Sequence, residues 1–230
     1  IIVKYNNFPE WTKVQVQAAV DVWAANFESS VPIYIDATWG RSPSFSVLGS
    51  ARPGSYFANF TGAPDSGLWY PSALANALAG KDLDGDNPEM IITVNSLASW
   101  YRGGGSGPSK SEYDLQSVIL HEMAHGLGFL STDSYDDFFG YGSIDQPTAY
   151  DAYVQTGDGR RLSDLPSPSA ELGEALTSKL VWSGALGIAA NGGVKPLLYT
   201  PKIYEDGSSV SHLDEATFSS AGSDAVMSPN

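Results

Sequence analysis

The sequence predicts an α+β fold, with a twisted mixed sheet and two long helices in an N-terminal subdomain and a loop-rich C-terminal subdomain. Three observations predict it. β-forming runs open the chain and recur at residues 31–39 and 90–95. Apolar residues recur at helical spacing after Pro9. Residues 118–129, VILHEMAHGLGF, read as a second helix with almost no polar face. The expected division is 1–128 and 129–230, two parts of a single domain.

Residues 1–8, IIVKYNNF, read as a first strand, and Pro9 suits a helix start. From Glu10 to about Glu28 the stripe Trp11, Val14, Ala18, Val22 and Ala25 predicts an amphipathic helix packed on a sheet. VPIYIDATW at 31–39 alternates like a strand. Residues 40–80 are rich in Gly, Ser and Pro, with short strand-like pieces at 44–48 and 55–60. In KDLDGDNPE, Asp82, Asp84 and Asp86 resemble the start of a calcium loop, but the glycine falls at the fourth position rather than the sixth. MIITVN at 90–95 is the strongest strand, and it is expected at a sheet edge where an extended peptide can pair with it. RGGGSGPS at 102–109 reads as a flexible connector. Beyond the second helix, 131–146 reads as an acidic, aromatic loop with Asp133, Asp136 and Asp137 as further calcium candidates. A short strand is expected at 150–154 and a helix at 169–180 carrying Glu171 and Glu174.

Composition narrows the function. With 42% hydrophobic residues in 230, the chain can bury a sizeable core. Its net charge of −14 repels phosphate backbones, which argues against nucleic acid as a partner. No run approaches the roughly 20 apolar residues of a membrane span. Cysteine is absent, so disulfides, thiolate ligands and a cysteine nucleophile are excluded. No basic segment followed by an apolar one opens the chain, so any signal or pro-segment is expected to have been removed or left out of this sequence. The expectation is a secreted monomer, of bacterial type because exported bacterial proteins often dispense with cysteine.

The second helix carries the chemistry. His121 and His125 are four residues apart and share one helix face, so both imidazoles can reach one metal ion, zinc being the usual occupant. Glu122 lies about 100° round the helix. It misses the ion but reaches a water beside it, which suits a general base. Ser111 followed by Asp114 resembles a capping box, and Gly126 and Gly128 supply residues able to take positive φ and end the helix.

Two histidines hold zinc loosely, and a catalytic site uses three protein ligands with one open position. The extended motif HExxHxxGxxH fits at Gly128 but finds Ser131 where its third histidine belongs. The third ligand must come from elsewhere. His212 is the only other imidazole, and Glu171 and Glu174 compete with it as donors. A neutral imidazole is a favoured zinc ligand, which favours His212.

HEMAHGLGF, followed far downstream by His212 in SVSHLDEATF and then by Ala225-Val226-Met227-Ser228-Pro229, resembles the leishmanolysin-type zinc metallopeptidases. In that branch of the metzincins an inserted segment separates the third histidine from the helix, and a Met-turn passes beneath the metal. The resemblance implies a zincin-like fold, His212 as third ligand, Met227 as the Met-turn residue, Zn2+ as cofactor and protein or peptide substrates. It rests on 118–129 and 209–229; elsewhere only the order of elements is similar. Leishmanolysin itself is cysteine-rich and membrane-anchored, so the expectation is a cysteine-free relative. Competing readings are a thermolysin-like His, His, Glu peptidase, a zinc hydrolase acting on other substrates, and a non-catalytic module holding zinc structurally. Tyr199 and Tyr204 are candidates for holding the oxyanion.

Overall fold

Strand β1 (Ile2–Asn6) ends at Asn7, whose φ of +62° breaks the extended run, and helix α1 (Glu10–Asn26) follows Pro9. The structure, a computed structural model, describes residues 1–42, 44, 46–104, 107–218 and 225–229. After α1 come β2 (Tyr34–Gly40), β3 (Gly49–Pro53), β4 (Tyr56–Ala58), β5 (Trp69–Pro71), α2 (Ser72–Ala79), β6 (Met90–Asn95) and α3 (Leu115–Leu127). The chain divides into two units, Ile1–Pro64 with Pro71–Gly128, and Asp65–Tyr70 with Phe129–Asn230. The architecture is mixed α+β, and no helix among the described residues is long and apolar enough to cross a membrane.

The first unit is built on a four-stranded sheet in the order β1-β2-β6-β3. The first three strands run parallel and β3 is antiparallel to β6, with Ala51 opposite Ile92. Ile35 and Ala37 of β2 and Met90, Ile92 and Val94 of β6 are buried with Val16, Ala19 and Val20 of α1 and with Leu115, Ile119, Met123 and Leu127 of α3. Each strand contributes alternate residues to that core, as the two-residue period of a pleated strand requires. Trp23 Nε1 donates to the Leu120 carbonyl at 3.1 Å and ties α1 to α3.

The second unit holds a hairpin, β7 (Asp133–Asp136) with β8 (Tyr141–Ile144), a pair of short strands, β9 (Val154–Thr156) with β10 (Leu180–Trp182), and helices α4 (Ala170–Leu176) and α5 (Ala185–Ala190). Leu162, Leu172, Leu176, Leu180, Leu198 and Val210 form its own core.

Several expectations are corrected. The core face of α1 is Thr12, Val16, Ala19 and Val20, whereas Val14 and Val22 are exposed. Strand β6 lies inside the sheet, and the edges belong to β1 and β3. The expected strand at 44–48 begins instead at Gly49, and its Phe45 lies outside the described residues. Helices α2 and α5 stand where no helix was expected. The expected acidic loop at 131–146 contains the β7–β8 hairpin, and the strand expected at 150–154 starts at Val154 after a single 3-10 turn. Of the expected connector at 102–109, Gly105 and Ser106 lie outside the described residues.

Candidate metal centre

Helix α3 starts at Asp114, not Ser111. The Asp114 carboxylate accepts the Ser117 backbone N–H at 2.7 Å and its hydroxyl at 2.8 Å, satisfying one of the free donors at the helix start. At the other end Gly128, with φ of +120°, donates to the carbonyls of Ala124 and His125 at 3.1 Å each. Gly126 does not end the helix. A Cβ there would lie 2.4–2.5 Å from the side chain of the fully buried Met90, so Gly126 is the point where α3 meets β6 with no room for a side chain. That close approach, one residue from His125, fixes the height of the histidines above the sheet.

The Nε2 atoms of His121 and His125 lie 3.0 Å apart, with the rings 83° to one another. Two neutral imidazole nitrogens turned on one point at that distance repel unless a proton or a cation sits between them. His212 is also buried. Its Nδ1 donates to the Ser208 carbonyl at 2.8 Å, which puts the proton on Nδ1 and the ligating lone pair on Nε2. Ligand atoms of His121, His125 and His212 all fall within 4.8 Å of one another, so this largely buried group can hold a metal ion. Three nitrogens without a thiolate or carboxylate fit a divalent transition ion better than calcium or magnesium.

The backbone around His212 is held on both sides. Its carbonyl accepts from Tyr199 N at 2.8 Å, Leu213 N donates to Met227 O at 2.7 Å, and the Tyr150 hydroxyl donates to Val210 O at 2.7 Å. Val210, fully buried, has a φ of +67°. A β-branched residue in the left-handed region costs on the order of 1–3 kcal/mol and persists only where its surroundings over-determine it.

Glu122 is 5% exposed, and burial pushes its carboxyl up to about 8. Its neighbour is Gly49, the first residue of β3, where a Cβ would stand 2.7 Å from Glu122 Oε1.

The remaining expected site residues fall as follows. Met227 is half-buried in a 3-10 turn, Ala225–Met227, and joins the His212 segment through its carbonyl. Glu171 pairs with Arg160, Glu174 is exposed, and neither belongs to the imidazole group. Tyr204 is committed to Asp133, to whose Oδ2 its hydroxyl donates at 2.9 Å. The carboxylates of Asp133, Asp136 and Asp137 do not form a shared metal group among the described residues. Gly49, Ser208 and Val210 were missed in the sequence, because each matters through a backbone position that no local pattern marks.

No protein-family model matches the chain, and no curated protein and no solved structure matches it either.

Proposed function

We propose that this chain is a zinc-dependent endopeptidase that cleaves peptide bonds by water attack, with His121, His125 and His212 as zinc ligands and Glu122 as general base. The observation that carries the proposal is the buried Glu122 carboxylate one residue from His121 and in contact range of Gly49 on the edge strand. A purely structural zinc site needs no such base and closes its fourth position.

When bound, zinc supplies a lowered pKa for water, from about 15.7 toward 7, and a polarised carbonyl. The protein's own residues do the rest. Strand β3 is an outermost strand of the sheet among the described residues, so an extended peptide could add beside it as a further strand. That places a scissile bond near Gly49 and Glu122. In its ionised form, which a cation on the neighbouring imidazoles would favour, Glu122 accepts a proton from the attacking water as the water oxygen bonds to the carbonyl carbon. The carbon–nitrogen bond then breaks, and Glu122 returns the proton to the leaving amine. The Ser208 carbonyl fixes the His212 tautomer. Met227 fits the Met-turn role through its backbone link to the residue after His212.

Two variants test the proposal against casein and a peptide library. Glu122→Ala is expected to retain metal and lose turnover by about 10²–10⁴-fold. His212→Ala is expected to lose stoichiometric zinc as read by metal analysis. Unchanged cleavage by the first, or full zinc in the second, removes the proposal. Ester hydrolysis without casein cleavage would favour the non-peptide hydrolase instead.

A further inference from the structure

A second group of ligating side chains lies in the first unit, in the loop between α2 and β6. Carboxylate oxygens of Asp82, Asp84 and Glu89 fall within 4.8 Å of one another. Asp86, which the sequence pattern included, is not a member; Glu89 takes its place. None of the ion pairs among the described residues involves these three acids, so no lysine or arginine balances them.

An acidic cluster alone is no site, and the independent sign here is the Asp84 carboxylate. Both of its oxygens are shut off from solvent, each with less than 1 Å² exposed, and neither has a hydrogen-bond partner. The Ser55 side chain beside it favours the charged form and the Asp82 carboxylate opposes it. Glu89 is fully buried. Its Oε1 accepts Asn76 Nδ2 at 3.0 Å and its Oε2 accepts Tyr34 N at 2.6 Å, which fixes both oxygens in direction. Asp82 Oδ1 accepts the N–H groups of Asp84 and Gly85 at 3.0 Å each. Burial and mutual repulsion push the Asp84 and Glu89 carboxyls up. Unpartnered buried carboxylate oxygens are costly unless a cation or a proton meets them.

We infer that Asp82, Asp84 and Glu89 form a calcium-binding site, separate from the imidazole group, that pins the α2–β6 loop to the start of β6. The donors are all oxygens, which selects a hard cation over zinc. Oxygens on opposite sides of a calcium ion, bonded at about 2.3–2.6 Å, stand up to about 5 Å apart, so the 4.8 Å spread fits around one ion. Glu89 leads directly into Met90 of the inner strand β6, so the ion would stabilise the sheet without touching the proposed catalytic group.

The test is a calorimetric titration of Ca2+ into protein stripped of metals and reloaded with one equivalent of Zn2+, paired with thermal melts. One Ca2+ per chain is expected, with a melting temperature about 5–10 °C higher at a hundredfold excess over Kd. Asp84→Asn, which keeps the shape and removes the charge, is expected to abolish binding and shift. Asp86→Asn is expected to preserve both. No Ca2+ binding by the unaltered protein overturns the inference by itself, as does unchanged binding by Asp84→Asn. An equal shift with Mg2+ at the same concentration overturns the choice of calcium.

Discussion

Gly49 and Glu122 belong to different elements, yet one dictates the other. A methyl group at Gly49 would occupy the place of Glu122 Oε1, and because that oxygen ends a flexible side chain it would swing away at little cost in stability. Gly49→Ala is therefore expected to fold and keep its metal while turnover falls at least about tenfold, since a misplaced general base loses much of its 10²–10⁴-fold contribution. Normal kcat in that variant would remove Glu122 from the chemistry. A different buried acid makes stability fall as pH rises. Asp151 is fully buried, its Oδ2 accepts the Thr148 N–H and hydroxyl at 2.7 and 2.9 Å, and its Oδ1 has no partner. Burial pushes its carboxyl from 3.8 up to about 6. Between those pH values the folded chain holds a proton that the unfolded chain has released. The associated stability is therefore full below pH 3.8 and lost as pH rises through about 6. The loss is on the order of 3 kcal/mol, and denaturant unfolding of Asp151→Asn is expected to show the slope reduced by that share, with the part due to Glu122 and the other raised carboxyls remaining. At this scale the two helical histidines and Glu122 were legible because their geometry is fixed by spacing alone. His212 was legible as the one imidazole left over and through the SVSHLDEATF and AVMSP stretches around it. Gly49 was not legible, since its need for no side chain arises from a contact made in three dimensions.

Among the elements, α3 is the one most dependent on a neighbour. Gly126 costs helix propensity, and the return is a contact with Met90 that no larger residue allows. Gly126→Ala is expected to destabilise the protein by about 1–3 kcal/mol in urea unfolding, because the added methyl overpacks a fully buried methionine. A neutral or stabilising result would mean that the helix and β6 stand further apart than described. The elements read wrongly in the sequence have separate causes. Helix α1 has apolar residues on more than one side, so two stripes compete, and burial chose the one that includes Thr12, whose hydroxyl satisfies itself on the Pro9 carbonyl at 2.6 Å. Strand β3, GSARP, contains no β-branched or aromatic residue. Its partner on β6 makes it a strand, and without it β6 looked like an edge. Helix α2 is short and built mainly of small residues, so its periodicity is faint against the Gly, Ser and Pro around it.

At the scale of the whole molecule, two units with separate cores each carry part of a surface whose net charge is −14. The imidazole group draws on two distant stretches of chain, α3 and the segment around His212. An ion bound only by the folded chain raises its stability by mass action, so stripping the metal is expected to lower the melting temperature and restoring one equivalent of Zn2+ to recover it. The same inventory has a spectroscopic consequence. Since the chain possesses only three histidines and all of them meet at one point, every imidazole resonance in a nuclear magnetic resonance spectrum reports on that point, free of background. One equivalent of Zn2+ should displace all three ring signals together, so occupancy and tautomer could be followed in the intact protein without a label.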